Sequence, residues 1–102
     1  MQTNQDRDFP SIEAELQIKK LALACAEAYN GPDASLLARC ETALVVSCLS
    51  HGLLNLDEYM SIDRIEYDGI DDEEGNARHH VYVYLDAEPK NAALDITCDH
   101  VQ

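Results

Sequence analysis

Apolar residues recur at helical spacing through the first half of the chain and alternate with polar residues through the second, the two periods that separate amphipathic helix from half-buried strand. Ile12, Leu16, Ile18, Leu21, Leu23, Cys25, Ala28 and Tyr29 carry the helical period. Ser11 stands where an N-cap belongs, with Glu13 and Glu15 in the first turn, where the helix dipole favours acids. Asn30-Gly31-Pro32 ends this helix, and Asp33 caps a second one through Leu36, Leu37, Cys40, Ala43, Leu44, Val45, Val46, Cys48 and Leu49, closing near His51-Gly52. So short a connection makes the pair an antiparallel αα-hairpin. From Ala43 to Leu49 the second helix is apolar on more than one side, so a further layer, expected to be a sheet, must cover it.

The second half supplies that sheet. In the run from His80 to Asp86, Val81, Val83 and Leu85 alternate with polar-tipped residues, and Leu94, Ile96 and Cys98 alternate with Asp95, Thr97 and Asp99. A turn at Glu88-Pro89-Lys90-Asn91 joins the two strands. A weaker strand spans Ile62 to Ile70, with Ile65 and Tyr67 on one parity and Arg64, Glu66 and Asp68 on the other. It reaches its partner across Asp71-Asp72-Glu73-Glu74-Gly75-Asn76, a polar loop with Gly-Asn turn chemistry. The fold class is therefore α+β, an N-terminal αα-hairpin packed on a three-stranded antiparallel β-meander, in the order α-α-β-β-β. Residues 1–10 read as a flexible arm and residues 11–102 as a single domain.

Composition narrows the function classes. The 102 residues carry 20 acids against 7 bases, a net charge of −13, and a chain so poor in lysine and arginine lacks what neutralises phosphates in direct nucleic-acid binding. Anionic membranes are disfavoured for the same reason. The polar start, Met1 to Phe9, has no apolar stretch of the secretory kind, and the longest apolar run, Ala43 to Leu49, is interrupted by Ser47. Cys25, Cys40, Cys48 and Cys98 lie among apolar neighbours in segments that read as regular structure, the setting of buried reduced thiols. A soluble cytoplasmic protein is expected.

The charge is concentrated in the sheet half: residues 57 to 102 hold 13 acids and 3 bases, residues 1 to 56 only 7 acids and 4 bases. If Val81 and Val83 face the core, then Tyr82 and Tyr84 face outward beside Glu66, Asp68, Asp95 and Asp99, with Asp71, Asp72, Glu73 and Glu74 in the adjoining loop. Tyrosine anchors protein interfaces and takes a cation on its ring, while carboxylates hold arginine and steer a basic partner inward. Carboxylates two residues apart on a strand stand about 6.6–6.8 Å apart. These ten residues are the candidate partner-binding set. The chain has a compositional likeness, without a shared motif, to acidic inhibitors that occlude basic surfaces: DNA mimics, anti-defence proteins and immunity proteins. The expected partner is a basic protein, such as a nuclease or another nucleic-acid-handling complex.

Other chemistries find less support. Cys48 with His51, and Cys98 with His100, offer four soft ligands, but Cys-x2-His with Cys-x-His is no zinc signature. An EF-hand fails because Gly69 or Gly75 at its sixth position would put Arg64 or Ile70 at the first. With neither a nucleophile elbow nor a phosphate-binding glycine loop, no catalytic role and no cofactor are expected. The apolar second helix suggests two alternatives: the seam of a homodimer, or the client surface of a small acidic chaperone or scaffold.

Overall fold

The structure is a computed structural model that describes residues 8–71, 77–86 and 90–99. Ser11, in extended conformation, turns its side-chain oxygen onto the Ala14 N–H at 3.1 Å and starts α1 (Ile12–Tyr29). Asp33 does the same for the Leu36 N–H at 3.1 Å, starting α2 (Ala34–Ser50). At the end of α2 the chain passes through Gly52 at φ 82°, a left-handed conformation that glycine adopts without a Cβ penalty. The Leu53 N–H then reaches the Cys48 carbonyl at 2.9 Å and the Gly52 N–H the Leu49 carbonyl at 3.1 Å, a Schellman closure with Leu53 and Cys48 both buried beneath it. One element goes beyond the sequence reading: α3 (Leu56–Met60), a single turn opened by a reciprocal capping box between Asn55 and Glu58. Five residues are too few to display a helical period.

The sheet consists of β1 (Ile62–Asp71), β2 (Ala77–Leu85) and β3 (Ala92–Asp99), antiparallel in the spatial order β1-β2-β3. Val81 lies between Tyr67 and Ile96, and Val83 between Ile65 and Leu94. The middle strand starts three residues earlier than expected and stops at Leu85; Asp86 already belongs to a turn, its N–H donating to the Ser61 carbonyl at 2.8 Å. The pairing slips once in each ladder. In the first, Ile62 opposes Leu85 and Arg64 opposes Tyr84, leaving Asp63 as the extra residue of a bulge. Ile62 and Ile65, three apart in sequence, thereby share the helix-facing side.

The core is set by α1, which covers β2 and β3. Its buried stripe is Ala14, Ile18, Ala22 and Cys25, against Val81, Val83, Leu94, Ile96 and Cys98, with Leu44 and Cys48 of α2 closing one flank and Leu53 and Leu54 beside them. Ile12 and Leu16, which the sequence pattern places in the stripe, are 75% and 65% exposed. They sit two residues, or about 200°, around the helix from Ala14 and Ile18. The sheet expected on α2 packs on α1 instead, and α2 packs chiefly on α1, leaving Leu36 and Val46 exposed. Of the expected N-terminal arm, residues 1–7 lie outside the described residues, while Phe9 packs partly on the core with the Lys19 ammonium 5.9 Å from its ring centre. Among the described residues no helix is long and apolar enough to cross a membrane.

Leu44→Ala, which empties a fully buried site, is expected to lower unfolding free energy by about 2–5 kcal/mol. Leu16→Ala, at an exposed position, should change it by less than about 0.5 kcal/mol. Urea denaturation of both variants measures the contrast.

Candidate functional site

With Val81 and Val83 turned to the core, the opposite side of the sheet carries Arg64, Glu66 and Asp68 from β1, Tyr84, Tyr82 and His80 from β2, and Asp95 and Thr97 from β3. Cross-strand pairing sorts them into rows. Glu66 and Asp95 oppose Tyr82 from its two sides, Asp68 and Thr97 oppose His80, and Arg64 opposes Tyr84. Five of the ten candidate residues, Glu66, Asp68, Tyr82, Tyr84 and Asp95, thus meet on one face. Asp71 and Asp99 end β1 and β3, opposite Ala77 and Arg78, with side chains outside the described residues. Asp72, Glu73 and Glu74 lie wholly outside them.

Two residues not named as site residues from the sequence organise this face. The Arg64 guanidinium lies 4.0 Å from the centre of the Tyr84 ring, its Nε donates to Glu66 Oε2 at 2.6 Å, and its Nη1 donates to Asp63 Oδ2 at 2.8 Å. Hydrogen bonds to Glu66 and Asp63 hold its pKa above the usual arginine value. The bulge makes this arrangement, since the extra residue brings a second carboxylate to the same guanidinium. His80 stacks on Tyr82 with ring centres 5.7 Å apart and planes within 6°. Its Nδ1 is 3.2 Å from both Asp95 Oδ1 and Thr97 Oγ1. Partial burial, then Asp95 and Asp68, push the Tyr82 hydroxyl up, so it remains a neutral donor among carboxylates. Parity alone places Arg64 and His80 on this side; their partners follow from a register that parity does not reveal.

The helix-facing side of β1 holds a second group. The Tyr67 hydroxyl donates to Glu41 Oε2 of α2, and its ring stacks on Tyr29 at 4.5 Å and 24°. Burial, then the hydrogen bond to Glu41, push that hydroxyl far up. A small cavity of about 110 Å³ adjoins Tyr29, Tyr67 and Gly69, and a wider groove of about 460 Å³ lies between α2, α3 and β1. Neither surrounds an activated nucleophile. Burial, reinforced by neighbouring Cys40 and Glu41, pushes the Cys25 thiol up to about 12, and burial alone does the same for Cys48; a thiol so raised is an inert thiol. Cys98 is buried as well. His51 points its Nε2 at Gln17 Oε1, 2.8 Å away, and His100 lies outside the described residues. Among the described residues no group of three or more His, Cys, Asp or Glu side chains is placed to hold a metal.

No family model matches the chain, nor does any curated protein or solved structure.

The two raised thiols fix a pH dependence. Folded, Cys25 and Cys48 stay protonated to about pH 12, whereas their ordinary value is 9.0. The stability tied to their neutral form is therefore complete below pH 9 and lost as pH climbs toward 12. Urea midpoints should fall across that window, and fall less in Cys48→Ala relative to its own value at pH 8. At pH 8 iodoacetamide should modify both thiols at least about a hundredfold more slowly in the native protein than in the unfolded chain.

Proposed function

We propose that this chain is an acidic, non-catalytic inhibitor that binds a basic partner protein through the open face of its sheet and occludes that partner's nucleic-acid-binding surface. The observation that carries the reading is the way the face holds Arg64: a guanidinium on a tyrosine ring, bonded to carboxylates on two sides. Those are the contacts an incoming arginine makes with tyrosine and carboxylate. One strand position along, Tyr82 lies between Glu66 and Asp95 with Asp68 close by. Tyr82 and Tyr84 act as anchors, and the surrounding acids draw a positive surface in and fix its orientation. A partner whose normal ligand is a polyanion presents the matching charge, as in DNA-mimic, anti-defence and immunity-type inhibition.

A second reading has its own support. Ile12, Leu16, Leu56 and Met60 are exposed apolar side chains, and a small chaperone or scaffold would hold its client through such surface. Salt separates the two, because exposed charge pairs are screened over a Debye length of about 8 Å at physiological ionic strength while apolar contacts persist.

The test is affinity capture from the host lysate with wild type and with a Tyr82→Ala/Tyr84→Ala variant of unchanged circular dichroism. A basic protein captured by wild type, released by rising salt, displaced by duplex DNA and missed by the variant is the expected result. Equal capture by the variant removes the sheet face; capture of a neutral protein that withstands 1 M salt moves the function to the apolar surface.

A further inference from the structure

β1 lies at one edge of the sheet, and the 460 Å³ groove runs along its helix-facing side. Ile62 and Ile65, both half-buried, line it from the strand, Val45 from α2, and Tyr59 and Met60 from α3, with Met60 74% exposed. An edge strand with apolar side chains along one face is a template for a further strand. Successive side chains of an added strand point to opposite faces. One set would enter the groove over Ile62 and Ile65; the other would stand beside Glu66 and Asp68 on the open face, where both are exposed.

Charge selects the occupant. The stretch formed by α3 and β1, residues 56–71, holds six acids and a single base, Arg64. A second copy of this chain pairing β1 with β1 would set acids against acids, and like charges directly opposite on neighbouring strands destabilise the pair. A strand with apolar residues at alternate positions and lysine or arginine between them satisfies both faces at once.

We propose that the β1 edge and its groove receive an extended segment of a basic partner protein, added as a fourth strand with apolar side chains in the groove and cationic ones beside Glu66 and Asp68. The proposal rests on the partner being basic, as in the reading above, but it uses a surface to which neither Tyr82 nor Tyr84 contributes a lining residue.

The probe is a synthetic octapeptide of alternating valine and lysine, titrated at low salt into the uniformly 15N-labelled full chain. Amide shifts concentrated in β1, α3 and the facing side of α2, with slowed hydrogen exchange along β1, are expected. Met60→Lys and Thr42→Lys alter exposed groove positions and so spare the fold. Each should weaken the peptide at least about tenfold, whereas Ser50→Lys, an equal charge change on exposed α2 surface outside the groove lining, should leave its affinity within about twofold. Equal binding of a block peptide, four valines then four lysines, overturns the proposal. So does a peptide insensitive to both groove variants, or shifts confined to α2 and α3 without protection of β1, which would mark a helix-type ligand. Peptide binding that meets these expectations while capture is indifferent to Tyr82 and Tyr84 retains the groove and discards the tyrosine face; the reverse pattern does the opposite.

Discussion

Packing of α1 on alternate residues of β2 and β3 is the contact on which everything else depends. Ala14, Ile18, Ala22 and Cys25 are mostly small, so the helix lies close against Val81, Val83, Leu94 and Ile96 and shields them fully. Because strand side chains alternate, burying those four residues commits their neighbours to the other side. Tyr82, Tyr84, Asp95 and Thr97 are carried outward by the same contact that makes the core. The exposed face is therefore a product of the core's geometry, and it is displayed on rigid sheet rather than on loops.

The sheet is longer than the cover it receives. α1 lies over β2 and β3, and what joins β1 to the helices is chiefly Tyr67, stacked on Tyr29 and bonded to Glu41. That strut holds α2 beside β1 without filling the space toward α3, which is why a groove remains there. The chain thus presents a different chemistry on each side of the same strand: carboxylates and Arg64 on one, isoleucines on the other.

How far the sequence can be read follows from the range of each signal. Ser11 and Asp33 mark helix starts because a cap acts over three residues, and strand parity shows in Val81, Val83, Leu94 and Ile96 because it acts over two. Ile12 and Leu16 mislead because α1 has apolar residues on two sides and only its tertiary partner decides which is buried. The same non-local choice sends the sheet to α1 rather than α2. The rows of the open face need cross-strand register, which two bulges alter, so Tyr82 and Tyr84 can be placed on a face from sequence while Arg64 on Tyr84 and His80 on Asp95 cannot. Asn55 and Glu58 do carry a legible capping signature for α3, four positions wide.

The bulge at Asp63 also makes β1 unequal in the kinds of change it can absorb. Upstream of it the strand is out of phase by one residue with the segment beyond, so losing Asp63 would restore a regular ladder only by exchanging inside for outside at one end. Either Ile62 would turn to water, or the row from Arg64 onward would turn its charges toward α2. Substitutions along β1 alter one side chain at a time, whereas a single-residue insertion or deletion before Ile65 alters the identity of a whole face. Length, more than residue type, is the property that evolution has least freedom to vary in this strand.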